Sequence, residues 1–201
     1  MVALLNSPKR KRKIPDELIY ETINGKHYYY KGYEKVLNKK QNSRSIMGYG
    51  LFQWMIIDII VMHLKLSLPK NLLAIGGEGG FHLGHNDNLS IDIAVLDKKD
   101  IDFSNVENKY LHFAPKAIIE VDTKADLNSA EGMDYYMTKT QKMLDFGVEE
   151  VVWVFTNSKK ILVAKQGVSW ITVNWSDDIE VLGKSLNLTQ LLVNEGFENL
   201  K

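Results

Sequence analysis

Leu89-Ser90-Ile91-Asp92-Ile93-Ala94-Val95-Leu96 is an apolar run broken at its centre by one carboxylate, and Ala117-Ile118-Ile119-Glu120-Val121-Asp122 repeats the arrangement with Glu120. Short runs rich in Ile and Val read as buried strands. An ionised Asp or Glu inside such a strand costs several kcal/mol unless a partner or a metal meets it. Two on neighbouring strands repel each other, and a divalent cation is the natural way to hold them together. The pair points to a hydrolytic metal site built on a sheet.

Composition places the chain without identifying it. Its 201 residues suit one ordinary globular domain with a real core. The 25 basic and 25 acidic residues balance, so no global positive field recruits nucleic acid and any such binding must rely on a local patch. The absence of cysteine excludes disulfides, a thiol nucleophile and thiolate zinc sites. Met1-Val2-Ala3-Leu4-Leu5 is too short for a signal-peptide core, and its basic residues follow it instead of preceding it. The most apolar stretch, Leu51 to Leu64, is interrupted by Gln53, Asp58 and His63. It reads as a buried amphipathic helix and not a membrane span, which needs roughly 20 apolar residues. The expectation is a cytoplasmic protein with no membrane partner.

Working along the chain, residues 1–14 read as a basic tail carrying Pro8-Lys9-Arg10-Lys11-Arg12-Lys13, a block that repels itself and attracts polyanions. Residues 15–201 read as a single domain. Asn24-Gly25 between Leu18–Ile23 and Lys26–Tyr30 marks an N-terminal β-hairpin. A helix is expected from about Ser45 to His63, with Pro69 closing its connection. Gly76-Gly77-Glu78-Gly79-Gly80 lacks the spacing and lysine of a phosphate-binding loop and reads as a bent strand or bulge. Asn128 or Ser129 can cap a helix with Glu131 in its first turn, running to Phe146 and stopped by Gly147. Strands follow at Glu150–Thr156, Ile161–Ala164 and Val168–Asn174, then a short helix at Leu188–Asn194. Together these give a mixed central sheet flanked by helices, an α/β (α+β) architecture.

On the helix after the second carboxylate strand, Tyr135, Lys139, Lys142 and Phe146 recur at spacings of three and four and share a face. A lysine near two metal-holding carboxylates can orient or deprotonate a water and stabilise charge on a phosphate. Metal-assisted phosphodiester hydrolysis needs those parts: a cation held by acids, an activated water and a nearby positive group. The carbonyl of Val121 would complete the protein's share of the metal site.

The order Asp92, Glu120, lysine resembles the PD-(D/E)XK nuclease superfamily, with its restriction-endonuclease-like fold, and more closely the bacterial Uma-two family. An opening of the type "YELIDGELY" is similar to Tyr20-Glu21-Thr22-Ile23-Asn24-Gly25-Lys26-His27-Tyr28. A "PDIAVV" strand is similar to Ile91 through Leu96, and a "P-x-x-x-x-EV-x-S" strand to Pro115 through Thr123. A "K-x-x-x-Y-x-x-x-GVxEYW" stretch is similar to Lys139 through Trp153, and the ending Ser185 through Leu192 has the family's pattern. The chain departs from that pattern at four places. Ile91 replaces a proline, Met143 a tyrosine and Ser43 an early histidine, and the superfamily's lysine two residues after the glutamate is Asp122. In the Uma-two group the lysine has moved to the helix, where Lys139 matches it; Lys124, just beyond the strand, is its rival.

The resemblance implies a metal-dependent endonuclease acting on DNA, with Asp92 and Glu120 on Mg²⁺ or Mn²⁺ and Lys139 positioning the attacking water. Glu21 matches the family's acidic position and is expected to reach the metal through water. Asp122 should share the face of Glu120, since side chains alternate along a strand, either as a further ligand or as the partner of Lys124. Glu78 could line the cleft but reads first as a turn residue, Trp153 reads as core, and His82 with His85 as too poorly converged for zinc. Cutting two strands would suit a homodimer. Two other readings stay open. One is an inactive nuclease-fold domain serving as a nucleic-acid-binding or protein-interaction module. The other is a phosphodiesterase for small nucleotides.

Overall fold

The computed structural model describes residues 13–106, 108–127 and 131–197. After a 3-10 turn at Asp16–Leu18 come β1 (Ile19–Ile23) and β2 (Lys26–Tyr29). Asn24 and Gly25 both take positive φ, 53° and 73°, the primed turn that this pair favours. Two short helices, α1 (Tyr33–Leu37) and α2 (Arg44–Met47), lead to the long α3 (Leu51–Ser67). The single helix expected over Ser45–His63 is therefore broken. Gly48 and Gly50 flank Tyr49 in extended backbone, since glycine gains least from continuing a helix. Beyond the break α3 runs on to Ser67, and Leu68 turns extended ahead of Pro69, as a residue before proline does.

The long hairpin β3 (Leu72–Gly84) and β4 (Asp87–Asp97) contains the glycine run. The expected bulge is there, as a register slip between Gly76 and Gly79. Gly76 also allows close packing: a Cβ on it would stand 2.7 Å from the Val61 side chain and 3.0 Å from Ile57, so α3 lies directly on the strand. The chain then passes through β5 (Ala117–Val121), α4 (Gly132–Asp145) and β6 (Glu150–Phe155). Strands β5 and β6 are parallel, so a crossover helix is required between them. Glu131 sits at the N-cap of α4; the capping role expected of Asn128 or Ser129 lies outside the described residues, as does the basic tail before Lys13. Gly147, at φ 113°, follows the helix end.

Strands β7 (Lys160–Lys165) and β8 (Ile171–Asn174) extend the sheet, and the hairpin β9 (Ile179–Val181) and β10 (Lys184–Leu186), absent from the sequence reading, leads to α5 (Leu188–Asn194). The sheet has eight strands in the order β2-β1-β4-β5-β6-β7-β8, with β3 on β4. Because β3 occupies one edge of β4 along its length, β1 at Asn88 and β5 at Ile93–Val95 share the other. Each face of the sheet carries its own core. On one, Ile56, Ile57, Ile60, Val61 and Leu64 of α3 meet Ile93, Val95, Ile119, Val152 and Val163, with α5 and Trp175 alongside. On the other, Tyr135, Met143 and Leu144 of α4 meet Ile118, Val151, Trp153 and Leu162. Trp153 is core as expected, its indole N–H donating to Thr140 Oγ1 at 2.8 Å. Among the described residues no helix is long and apolar enough to cross a membrane.

Candidate active site

The pairing of β4 with β5 runs through Ile93↔Ile119, and continuing that register sets Asp92 opposite Glu120. There the ladder opens. Instead of a backbone carbonyl, Asp92 Oδ2 accepts the Val121 N–H at 2.8 Å. A side chain thus replaces one rung, which is why an acid can sit inside an apolar strand. Asp92 Oδ1 also accepts from the Tyr49 hydroxyl at 3.1 Å, and Gln53 Nε2 lies 3.4 Å from Oδ2. The same Gln53 amide donates to the Val121 carbonyl at 2.6 Å. Tyr49 lies in the break before α3 and Gln53 in its first turn, so the interruption of that helix is what brings both to Asp92.

Glu120 faces α4. Lys139 of that helix is wholly buried, and its ammonium divides between the Ser90 carbonyl at 2.7 Å, Glu120 Oε1 at 2.9 Å and Glu21 Oε2 at 3.0 Å. Glu21 is 3% exposed and also accepts from the Tyr135 hydroxyl and from the Ser90 N–H at 3.3 Å. The hairpin acid, the second strand acid and the helix lysine therefore form one buried cluster. Wholly buried between these groups, Lys139 reaches a water only if one of these contacts opens. Oε1 of Glu120 has the charge of Lys139 beside it but no aligned donor.

A second shell of charge lies nearer the surface. Glu78 rides on the β3 bulge and is not the turn residue expected: its carboxylate pairs with Lys124 Nζ at 2.8 Å and takes the Tyr30 hydroxyl at 3.3 Å. Lys124 also donates to the Met47 carbonyl at 3.2 Å and stands 3.8 Å from the Tyr49 ring centre. Asp122 departs from expectation. Strand β5 ends at Val121, Asp122 takes φ 55°, and its carboxylate accepts from the backbone N–H and hydroxyl of Thr156. It leaves the face of Glu120 and pairs with neither Lys124 nor the carboxylate cluster. His82 Nδ1 bonds Asn88 Oδ1 at 2.6 Å, and among the described residues no three His, Asp or Glu side chains form a ready cation cage.

The electrostatics follow from burial. Desolvation pushes the Glu120 carboxyl up to about 8, with Asp92 adding to the rise and Lys139 opposing it. Desolvation also raises Asp92, against the Val121 N–H and Lys139. Burial by itself would lower Lys139, but Glu120 and Glu21 outweigh it and hold the ammonium charged. Near neutrality the cluster thus keeps a proton on Glu120. A divalent cation could take that proton's place, using Asp92, Glu120 and the Val121 carbonyl. Hard oxygen donors of this kind suit Mg²⁺ or Mn²⁺, which retain several waters beside one or two carboxylates. The unaligned Glu120 Oε1 fits that set. Gln53 already donates to Asp92 and Val121, so its amide would have to turn or withdraw.

No family model matches the chain, and no curated protein does. A solved structure does. The crystal structure of a protein from Anabaena variabilis ATCC 29413, described as "a putative nuclease belonging to DUF820", matches with a TM-score of 0.59 across 90% of each chain, at 16% identity. At that identity the likeness is one of fold. The large mixed sheet flanked by helices is the architecture expected from the sequence, and it is similar to that structure. Gln53, Tyr49 and Ser90 are the residues around the carboxylates that sequence reasoning passed over, and Glu78, weighed for the cleft, reads from the sequence first as a turn residue. Glu78, a lone charge among four glycines, was the one with a visible signal.

Proposed function

We propose that the protein is a divalent-metal-dependent nuclease of the Uma-two type that hydrolyses phosphodiester bonds in DNA. The observation that carries this reading is the opening of the β4–β5 ladder at Asp92 and Glu120, two buried carboxylates in register, on a nuclease-like fold. Asp92, Glu120 and the Val121 carbonyl would hold Mg²⁺ or Mn²⁺, which supplies an activated water and a Lewis acid for the phosphate. Tyr49 and Gln53 orient Asp92. Lys139 and Glu21 fix Glu120, and the Lys139 ammonium keeps positive charge behind the carboxylates as the phosphate gains negative charge. Lys139 thereby acts first through Glu120 as a positioning residue. A cytoplasmic homodimer cutting both strands is consistent with this reading.

The second reading, a domain that has lost the chemistry, is favoured by one observation. Gln53 and Lys139 already satisfy much of what a cation would meet. Incubating the protein with supercoiled plasmid, single-stranded DNA, RNA and an activated small phosphodiester, in Mg²⁺ or Mn²⁺ and in EDTA, separates the readings. Metal-dependent cleavage of DNA supports the proposal. Turnover of the small diester alone would make the protein a phosphodiesterase. Stoichiometric Mn²⁺ binding with no cleavage of any substrate would leave the inactive module.

A further inference from the structure

Beside Gln53 the surface opens into a cleft of about 420 Å³, with Lys31, Gly48, Gly50 and Lys124 in its walls. Two features of its walls bear on what it could hold. Gly48 and Gly50, which break the helix ahead of α3, have ordinary extended backbone at φ −78° and −67°, and a Cβ on either would meet nothing within 4 Å. The wall is therefore open at both. What a missing side chain still provides is close approach to the backbone. Lys124 lines the cleft, and its ammonium pairs with an acid that the carboxylate cluster does not use, Glu78 on the β3 bulge.

The backbone also brings the two lysines together. The Lys31 N–H donates to the Lys124 carbonyl at 2.7 Å, so the two residues stand side by side in the cleft wall. Asp122, the acid in the same wall, spends its carboxylate on Thr156. Gln53 both lines the cleft and touches Asp92 and the Val121 carbonyl, so one side chain separates the cleft from the carboxylate pair.

We propose that this cleft seats the backbone phosphate next to the bond that is cut, with Lys124 and Lys31 contacting it. Gly48 and Gly50 give that phosphate room, and Glu78 is a positioning residue that holds Lys124 until the phosphate replaces it. The inference rests on the nuclease reading and adds the side from which the strand enters. It also divides the lysines: Lys139 serves the carboxylates, and Lys124 serves the substrate.

The test is binding of a fluorescent DNA oligonucleotide by anisotropy, with Ca²⁺ in place of Mg²⁺, across a salt series. Lys124→Gln and Lys31→Gln should each flatten the slope of log affinity against log salt by about 0.9 on duplex or about 0.7 on single strands, one phosphate contact's worth. Lys142→Gln, whose lysine pairs with Asp87 at 2.7 Å and lines another hollow, should leave the slope alone. Gly48→Leu, which adds a side chain to the cleft wall and leaves the α3 N-cap intact, should weaken binding. Glu78→Gln should tighten it, by freeing Lys124, which a merely structural ion pair would not do. Binding by the wild type with unaltered slopes in both lysine variants overturns the subsite and leaves the nuclease reading standing. A wild type that neither binds nor cleaves DNA overturns both.

Discussion

Replacing Lys139 by methionine keeps the apolar stem of the side chain and removes its ammonium. The ammonium is fully buried and engages two carboxylates that are themselves 1% and 3% exposed, together with the Ser90 carbonyl. Removing one member of a buried ion cluster strands the others, at a cost of about 3–5 kcal/mol. At a urea dependence of about 2 kcal/mol per molar, the unfolding midpoint should fall by about 1.5–2.5 M. The loss must also depend on pH. Glu120 is already pushed up to about 8 with Lys139 present, and without the lysine it holds its proton higher still.

The unfolded chain releases that proton near its ordinary value of about 4.3. Between those two values the folded state binds more protons, so its stability falls as pH rises, by about 1.4 kcal/mol per pH unit for each proton retained. In the wild type that decline ends near pH 8; in Lys139→Met it should persist to pH 9 and beyond. Adding Glu120→Gln should recover a large part of the loss. Urea unfolding at pH 6 and pH 9 is the assay. A loss under 1 kcal/mol, or one identical at both values, would refute the reasoning.

Metal affinity should follow the same proton. Because a cation must displace it from Glu120, Mn²⁺ binding by calorimetry should tighten by up to about tenfold per pH unit up to about pH 8 and then level off; constant affinity from pH 6 to pH 9 would remove Glu120 from the ligand set. Tyr49→Phe, which deletes the hydroxyl that orients Asp92 and leaves the Val121 carbonyl untouched, should weaken Mn²⁺ by about 10–100-fold while leaving the fold in place, as metal titration and circular dichroism would show. Gly76→Ala sets a methyl 2.7 Å from Val61, an overpacking worth about 1–3 kcal/mol. For a chain of this size the melting temperature should drop by about 2–10 °C, and an unchanged value would mean that α3 sits farther from β3 than the structure has it.

The sheet was legible because its carrying elements obey local rules: Asn24-Gly25 fixes its turn, and the Ile- and Val-rich runs fix β4 to β7. The β9–β10 hairpin was not, because Ile179–Val181 and Lys184–Leu186 are three-residue strands too short to show a period. Asp92, Glu120 and Lys139 could be named from burial cost and helix spacing alone. Asp122 misled because alternation along β5 stops one residue earlier, where the chain turns to positive φ. Tyr49 and Gln53 were hidden by the assumption of an unbroken helix; only the interruption at Gly48 and Gly50 aims them at Asp92. Glu78 depended on a register slip in β3, a property of pairing between strands that no single segment encodes.

If Asp92 and Glu120 jointly hold the metal that hydrolyses DNA, the rate of plasmid nicking in Mn²⁺ must separate wild type from Asp92→Asn and Glu120→Gln. Both substitutions keep the shape of the carboxyl and remove its charge, so all three proteins should melt as folded domains. The account predicts cleavage by the wild type that EDTA abolishes and that falls at least about 100-fold, close to 3 kcal/mol of barrier, in each variant. Nicking that persists undiminished in Asp92→Asn would contradict it.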